Sequence, residues 1–240
     1  MRISGKTILV TGATDGIGAV LIEQLRAKGA LVIASGRNPD KIAALQGKGF
    51  ETIQADLSQP EGVEALLAGL GDRAIDVLVN NAGASIEHDF REGPPPFDAI
   101  ASGIRTNLIA PIELVARLMP VLSQRPEAMV VNVTSGLAIA PRAGGPVYCA
   151  TKAGLRSYSM AIRAQLKGTK VHVLEALPPV VATAMTAQRG GIKMSSEACA
   201  AAIVRAMERN AREANIGLTR VLRWVYSLSP ALARTVMIRF

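Results

Sequence analysis

Tyr148 and Lys152 stand four residues apart and form the pair in this sequence best suited to moving a proton. On a helix that spacing places both side chains on one face, about a turn apart. An isolated phenol titrates near ~10, too high for efficient proton transfer at neutral pH, and a fixed ammonium within reach favours the phenolate and lowers that value. The spacing alone is weak, because a chain with three Tyr and eight Lys in 240 residues can produce such a pair by chance. Order and position strengthen it. Ser135 follows the strand-like run Met129 to Thr134, thirteen residues before Tyr148, at the kind of carboxyl edge where open α/β sheets take ligands. Its hydroxyl can hold a carbonyl oxygen. The run Asp76 to Asn80, followed by Asn81-Ala82-Gly83, places a polar stop of small residues at the end of another strand, and Asn107 lies in the helix that follows.

A second constellation begins the chain. Thr11-Gly12-Ala13-Thr14-Asp15-Gly16-Ile17-Gly18 comes directly after the first strand-like run and opens a helix. Gly12 allows a tight turn, Gly16 lets the backbone approach a pyrophosphate, and Gly18 permits close packing of helix on strand, while the helix N-terminus offers N–H groups to an anion. An ordinary glycine-rich turn of an α/β protein is the plainer alternative. At the end of the second strand the sequence reads Ser35-Gly36-Arg37-Asn38, with no carboxylate to hold an adenosine ribose, and Asp40 after Pro39 begins the next helix. Arg37 is then available to grip a 2′-phosphate through its planar fork of donors, so NADP(H) is favoured over NAD(H).

These residues need a sheet to carry them. Strands are expected at Thr7 to Thr11, Leu31 to Ser35, Phe50 to Ala55, Asp76 to Asn80, Met129 to Thr134 and Val171 to Ala176. Helices are expected at about Ile17 to Lys28, Pro39 to Gln46, Pro60 to Leu70, Phe97 to Ser123, Tyr148 to Lys167 and Ser195 to Arg212. Pro94-Pro95-Pro96 marks a loop entering a helix. The alternation predicts an α/β, Rossmann-like, doubly wound parallel sheet of about seven strands, covered by helices on both faces, as one domain over residues 1–240.

Composition narrows the function classes. Apolar residues make up 49% of the chain and charged ones 19%, which excludes disorder. The apolar runs are broken by Gly, Pro, Asn or charge before reaching the length of a membrane span, and the first ten residues lack a signal-peptide core. A cytoplasmic protein is expected. Cys149 and Cys199 are isolated, with only His88 and His172 to help them, so no metal site is expected. The net charge of +8 could suggest nucleic acid, but aromatics are only 3% and leave little for base stacking. Nucleic-acid binding is not expected.

Taken together, TGATDGIG (Thr11 to Gly18), NNAG (Asn80 to Gly83), Asn107, Ser135 and Tyr148-Cys149-Ala150-Thr151-Lys152 resemble the short-chain dehydrogenase/reductase family in order and spacing over almost the whole chain. The resemblance implies that Tyr148 is the general acid/base, that Ser135 orients and polarises the carbonyl, and that Lys152 binds the nicotinamide ribose and lowers the tyrosine pKa. It implies that Asn107 holds a water relaying protons to Lys152. It further implies cofactor contacts from Gly12, Thr14, Asp15, Gly16, Ile17, Gly18, Arg37 and Asn38, with Asp56 and Leu57 at the adenine and Asn81, Ala82 and Gly83 on the adenosine ribose side. Pro178, Val181 and Thr183 match positions that meet the nicotinamide. One departure is Pro179, where the family usually has glycine; a similar double proline occurs in a bacterial subgroup named for D-alanylation of cell-wall polymers. The implied reaction is hydride transfer between a nicotinamide and a carbonyl or secondary alcohol of a small molecule. The alternative is an NADP(H)-binding regulatory or scaffold protein without turnover, against which the presence of all four catalytic positions argues. A methyltransferase on a similar sheet would not need the Ser135, Tyr148, Lys152 set.

Residues 184–196 form the expected substrate loop, where Met185, Ile192 and Met194 could make an apolar wall and Arg189 or Lys193 could meet an anion; a solvated loop is the alternative. Residues 217–240 carry four Arg, no acid, and apolar residues at helical spacing, with Ser229-Pro230 starting a second helix. This tail is expected to pack on the protein or in a homo-oligomer contact, with an anionic membrane surface as the less favoured reading. His88 reads as a surface-loop side chain, and Cys149 as a buried thiol pointing away from Tyr148.

Overall fold

Each run read as a strand lies in the sheet of the computed structural model, which describes residues 1–93 and 96–239. β1 (Thr7–Val10), β2 (Leu31–Gly36), β3 (Glu51–Gln54), β4 (Val77–Asn80), β5 (Ala128–Val133), β6 (Val171–Leu177) and β7 (Glu213–Asn215) pair in the order β3-β2-β1-β4-β5-β6-β7, all in parallel. This is a Rossmann-like doubly wound sheet. The chain runs outward from β1 to β3, then returns to place β4 on the other side of β1, which opens a crevice at the carboxyl ends of β1 and β4.

Two-sided burial follows from strict alternation along the central strands. Ile8 and Val10 of β1, Val77 and Val79 of β4, and Met129 and Val131 of β5 face α1 (Gly16–Ala27) and α7 (Ser196–Glu208). Leu9, Leu78 and Val130 face the other way, toward α3 (Gly62–Leu70), α5 (Ala110–Ser123) and α6 (Pro146–Gln165). α2 (Pro39–Gly47) packs beside β2 and β3, burying Ile42 and Leu45. A buried polar chain crosses the second interface: Asn80 Nδ2 donates to Asn132 Oδ1 at 2.9 Å, and Asn132 Nδ2 donates to Ser159 Oγ at 2.9 Å. These bonds pair most of the polar atoms that the chain buries, although Asn80 Oδ1 has no partner among the described residues.

Three expectations need correction. The helix expected to reach Arg212 stops at Glu208, with Asn210 in a left-handed conformation (φ 49°), and the chain then forms the short edge strand β7. The helix expected over Phe97 to Ser123 is α4 (Phe97–Ile104) and α5 joined by a π-helical turn, Arg105–Ile109. That run is long and apolar enough to cross a membrane, contrary to the expectation from its interruptions, yet Leu114, Leu118 and Leu122 are buried against the sheet. Of the proline cluster, Pro94 and Pro95 lie outside the described residues and Pro96 precedes α4. The tail folds as α8 (Thr219–Leu228) and α9 (Pro230–Met237), with the Ser229 hydroxyl accepting from Leu232 N at 3.2 Å as the cap between them.

Candidate active site

The carboxyl edge of the sheet opens into a cavity of about 1530 Å³, and every candidate catalytic or cofactor-binding residue lines it except Gly18 and Asn107. Its floor is the glycine turn between β1 and α1. Gly12 and Gly16 have φ of +62° and +52°, a conformation that other residues rarely adopt. A Cβ on Gly12 would lie 2.7 Å from Ala82 Cα, and one on Gly16 would lie 2.9 Å from the Thr183 methyl. Gly18 acts in packing, since a Cβ there would lie 2.1 Å from Gly12 O. Asn81 likewise buttresses the turn: its Nδ2 donates to Thr11 O and Gly12 O, both at 3.0 Å. Thr11 Oγ1 accepts from Asn81 N and Ala82 N, both at 3.1 Å. The turn is therefore a preformed cradle that a side chain would fill, and α1 starts directly beyond it, so the site fits a dinucleotide pyrophosphate.

At the β2 end, Arg37 is exposed, lines the cavity and makes no ion pair among the described residues. Asn38 Oδ1 caps α2 by accepting from Lys41 N at 2.9 Å. Lys41, which the sequence reading missed, reaches from the first turn of α2 to Asp15, and this pairing holds the Asp15 carboxyl below its ordinary pKa. A second cation thus stands beside Arg37. After β3, Asp56 Oδ1 accepts from Ser58 N at 3.0 Å and from Ser58 Oγ at 2.7 Å, a turn that presents Asp56 and Leu57 to the cavity.

Ser135, Tyr148 and Lys152 meet on the opposite side of the crevice. β5 delivers Ser135, whose Oγ accepts from Leu137 N at 3.1 Å, leaving the hydroxyl proton to be donated elsewhere. α6 delivers Tyr148 and Lys152 one turn apart, with Lys152 Nζ 5.8 Å from the centre of the tyrosine ring. Lys152 is buried, donates to Val133 O at 3.0 Å, and is pushed down to about 8 by that burial. Burial also pushes the Tyr148 phenol above its ordinary value, with the Ser135 hydroxyl and the charges of Arg189 and Arg142 pulling the other way. In the protein alone desolvation is the largest influence on the phenol, and the lowering expected from Lys152 is not seen. Asn107 lies in the π-helical turn, completely buried, and its amide is spent on positioning: Oδ1 accepts from Ala84 N at 2.8 Å, while Nδ2 donates to Ala84 O at 2.9 Å and Thr151 Oγ1 at 3.2 Å. This clamps the chain after Gly83 beside the lysine. π-Helical turns of this kind cluster at functional sites.

The roof comes from the chain after β6. Pro178, Val181 and Thr183 line the cavity, and Ala182 N donates to Met194 O at 2.8 Å, closing the 184–196 loop at its base. Pro179 packs where the tail enters, its Cγ lying 3.3 Å from where a Cβ on Gly217 would be. Arg189 of the loop and Arg142, both lining the cavity, bind the same carboxylate, Glu87. Burial acts to raise the Glu87 pKa, but the two guanidiniums hold it below its ordinary value. Arg142 and Glu87 carry no local signal in the sequence. Lys193 turns away, donating to Thr186 O at 2.6 Å and Ala187 O at 3.1 Å. His88 is not a solvated loop side chain: it is half-buried, edge-on to Phe90 at 4.7 Å between ring centres. Cys149 is buried, and burial pushes the Cys199 thiol up to about 12, which makes it inert. Among the described residues no group of side chains could hold a metal ion.

Comparison with known proteins gives the family and the fold. The family model described as short chain dehydrogenase matches residues 6–191. An oxidoreductase of Bacillus subtilis (strain 168), named DltE and described as uncharacterized, is 40% identical over 189 residues, covering 77% of this chain and 75% of that protein. The NADP-dependent 3-hydroxy acid dehydrogenase YdfG of Salmonella typhi is 34% identical over 196 residues, covering 79% and 75%. In fold, a short chain dehydrogenase from Burkholderia cenocepacia J2315, crystallised with NADP, superposes with a TM-score of 0.89 at 24% identity over the whole of both chains. With a matching family model over most of its length and relatives that are dehydrogenases, this chain belongs to the short-chain dehydrogenase family and is an oxidoreductase of alcohol and carbonyl groups.

Proposed function

We propose that the protein is an NADP(H)-dependent oxidoreductase that transfers hydride between nicotinamide and a carbonyl or secondary alcohol carbon, with Ser135, Tyr148 and Lys152 as its catalytic residues. The observation that carries the reading is that one cavity contains the glycine cradle, an acid-free β2 end with Arg37 and Lys41, and the Ser135, Tyr148, Lys152 set. When bound, the nicotinamide supplies the hydride in reduction and accepts it in oxidation.

This chain's own residues do the rest. In reduction, the Tyr148 phenol donates its proton to the oxygen that becomes negative, and a phenol raised by burial stays protonated and ready to do so. Ser135 Oγ, already accepting from Leu137 N, donates the second hydrogen bond to that oxygen. Lys152, buried and with its pKa near neutrality, returns a proton toward the phenolate. Asn107 positions the Ala84 backbone around the lysine and, with its amide fully used, leaves its backbone to hold a relaying water. The second cation supports NADP(H): Arg37 and Lys41 meet a 2′-phosphate where a dinucleotide without one would present a neutral hydroxyl.

Tyr148→Phe tests the reading. The variant should bind NADPH with unchanged affinity in a fluorescence titration and lose about 10²- to 10⁴-fold in turnover of any ketone the wild type reduces. Unchanged turnover would remove Tyr148 from the mechanism, and preference for NADH in the same titration would remove NADP(H).

A further inference from the structure

The family match ends at residue 191, before α8 and α9, and this hairpin builds a large part of the cavity that the catalytic residues share. It starts beside Ser135: a Cβ on the adjacent Gly136 would lie 2.9 Å from Thr219 Oγ1 and 3.6 Å from Leu222 Cδ2. Val221, Leu232 and Val236 from the hairpin line the cavity together with Met185 and Ile192 from the 184–196 loop. These five apolar side chains nevertheless remain between 44% and 89% exposed. Large apolar groups left in water while walling a concave surface mark a binding site for apolar matter.

Charge points the same way. The acidic side chains lining the cavity are Asp15 and Asp56, both at the dinucleotide end. The two guanidiniums on the substrate side share one carboxylate, Glu87, so their leftover positive charge stays at that end, while the residues that α8 and α9 bring to the cavity are all uncharged. We propose that the trough between the hairpin and the 184–196 loop receives an extended hydrocarbon group, so that the substrates are carbonyl compounds or secondary alcohols with a long or bulky apolar substituent. The proposal rests on the reading of Ser135 and Tyr148 as the reacting end, and it names what lies beyond the reacting carbon.

Two measurements separate it from that reading. In a series from butan-2-one to decan-2-one with NADPH, kcat/KM should rise about two- to fourfold per added methylene until the chain outgrows the trough. In the double variant Val221→Asp, Val236→Asp the ratio of decan-2-one to butan-2-one should collapse toward one. Independently of turnover, the neutral probe N-phenyl-1-naphthylamine should fluoresce on binding the wild type, be displaced by decan-2-one but not by butan-2-one, and bind the double variant at least tenfold more weakly. A flat ketone series with a dark probe overturns the trough and leaves the catalytic reading standing. Probe binding and displacement without turnover of any ketone keeps the trough and overturns the catalytic reading.

Discussion

Lys152 should make the protein less stable than it would be with an apolar side chain in the same place. The residue is 4% exposed, and its ammonium donates to Val133 O at 3.0 Å and has no carboxylate within ion-pair distance among the described residues. Burial lowers its pKa from 10.5 to about 8. That difference corresponds to about 3 kcal/mol of destabilisation at neutral pH. The sign follows from proton uptake: the unfolded chain holds the lysine proton more tightly, so the penalty is full below about 8 and fades as the pH rises toward 10.5. Lys152→Met keeps the volume, removes the charge and forfeits the bond to Val133 O, which offsets about 1–2 kcal/mol. The net expectation is a gain of about 1–2 kcal/mol at pH 7, or about 2–8 °C in Tm for a chain of this size, together with loss of turnover. Urea unfolding of both proteins without cofactor, at pH 7, 9 and 10.5, tests it; cofactor is left out because its binding would stabilise both by mass action. The variant's advantage should shrink with pH, vanish between about pH 9 and 10, and turn into a deficit of about 1 kcal/mol near 10.5, where only the lost bond to Val133 O remains. A variant less stable than wild type at pH 7, by a margin that does not change with pH, would refute the claim that the lysine is held charged against its burial.

Other consequences can be checked separately. Arg37→Ala with Lys41→Ala should weaken NADPH binding about ten- to hundredfold while leaving NADH binding within about twofold; equal losses for both would show that the two cations do not read a 2′-phosphate. Arg156→Met removes the partner, 2.6 Å away, of the fully buried Glu175, and should cost about 3–5 kcal/mol at pH 7. Burial raises the Glu175 carboxyl above its ordinary pKa despite the opposing Thr134 and Arg156, so the folded variant takes up a proton before the unfolded one as pH falls and should regain part of the loss at pH 5. A loss independent of pH in urea unfolding would place the damage elsewhere. Gly18→Ala must push a Cβ against Gly12 O, 2.1 Å away; a Tm within 1 °C of wild type and unchanged NADPH affinity would show that the turn can move aside.

The fold was legible where burial is two-sided and patterned. β1, β4 and β5 are near-continuous apolar runs because each face meets a helix layer, and such runs are readable without knowing their neighbours. β7 was not legible: Glu213-Ala214-Asn215 has no apolar pattern and is a strand because its backbone pairs with Glu175 to Leu177 of β6. The same distinction divides the site. Gly12, Gly16, Tyr148 and Lys152 act through local geometry, a turn or one helical step, so their spacing in the sequence carries information. Lys41 and Arg142 act through partners 26 and 55 residues away, Asp15 and Glu87, and a single cation beside a loop gives no sign of which distant carboxylate it will meet. Asn81 is the intermediate case: its position in NNAG is readable, but its two bonds to Thr11 O and Gly12 O depend on β1 and β4 lying side by side, which only the sheet order decides. Local chemistry therefore points to the proposed reacting groups, whereas the shape and charge of the cavity beyond them depend on contacts across the fold, and the packing of α8 and α9 over that cavity belongs to the second class.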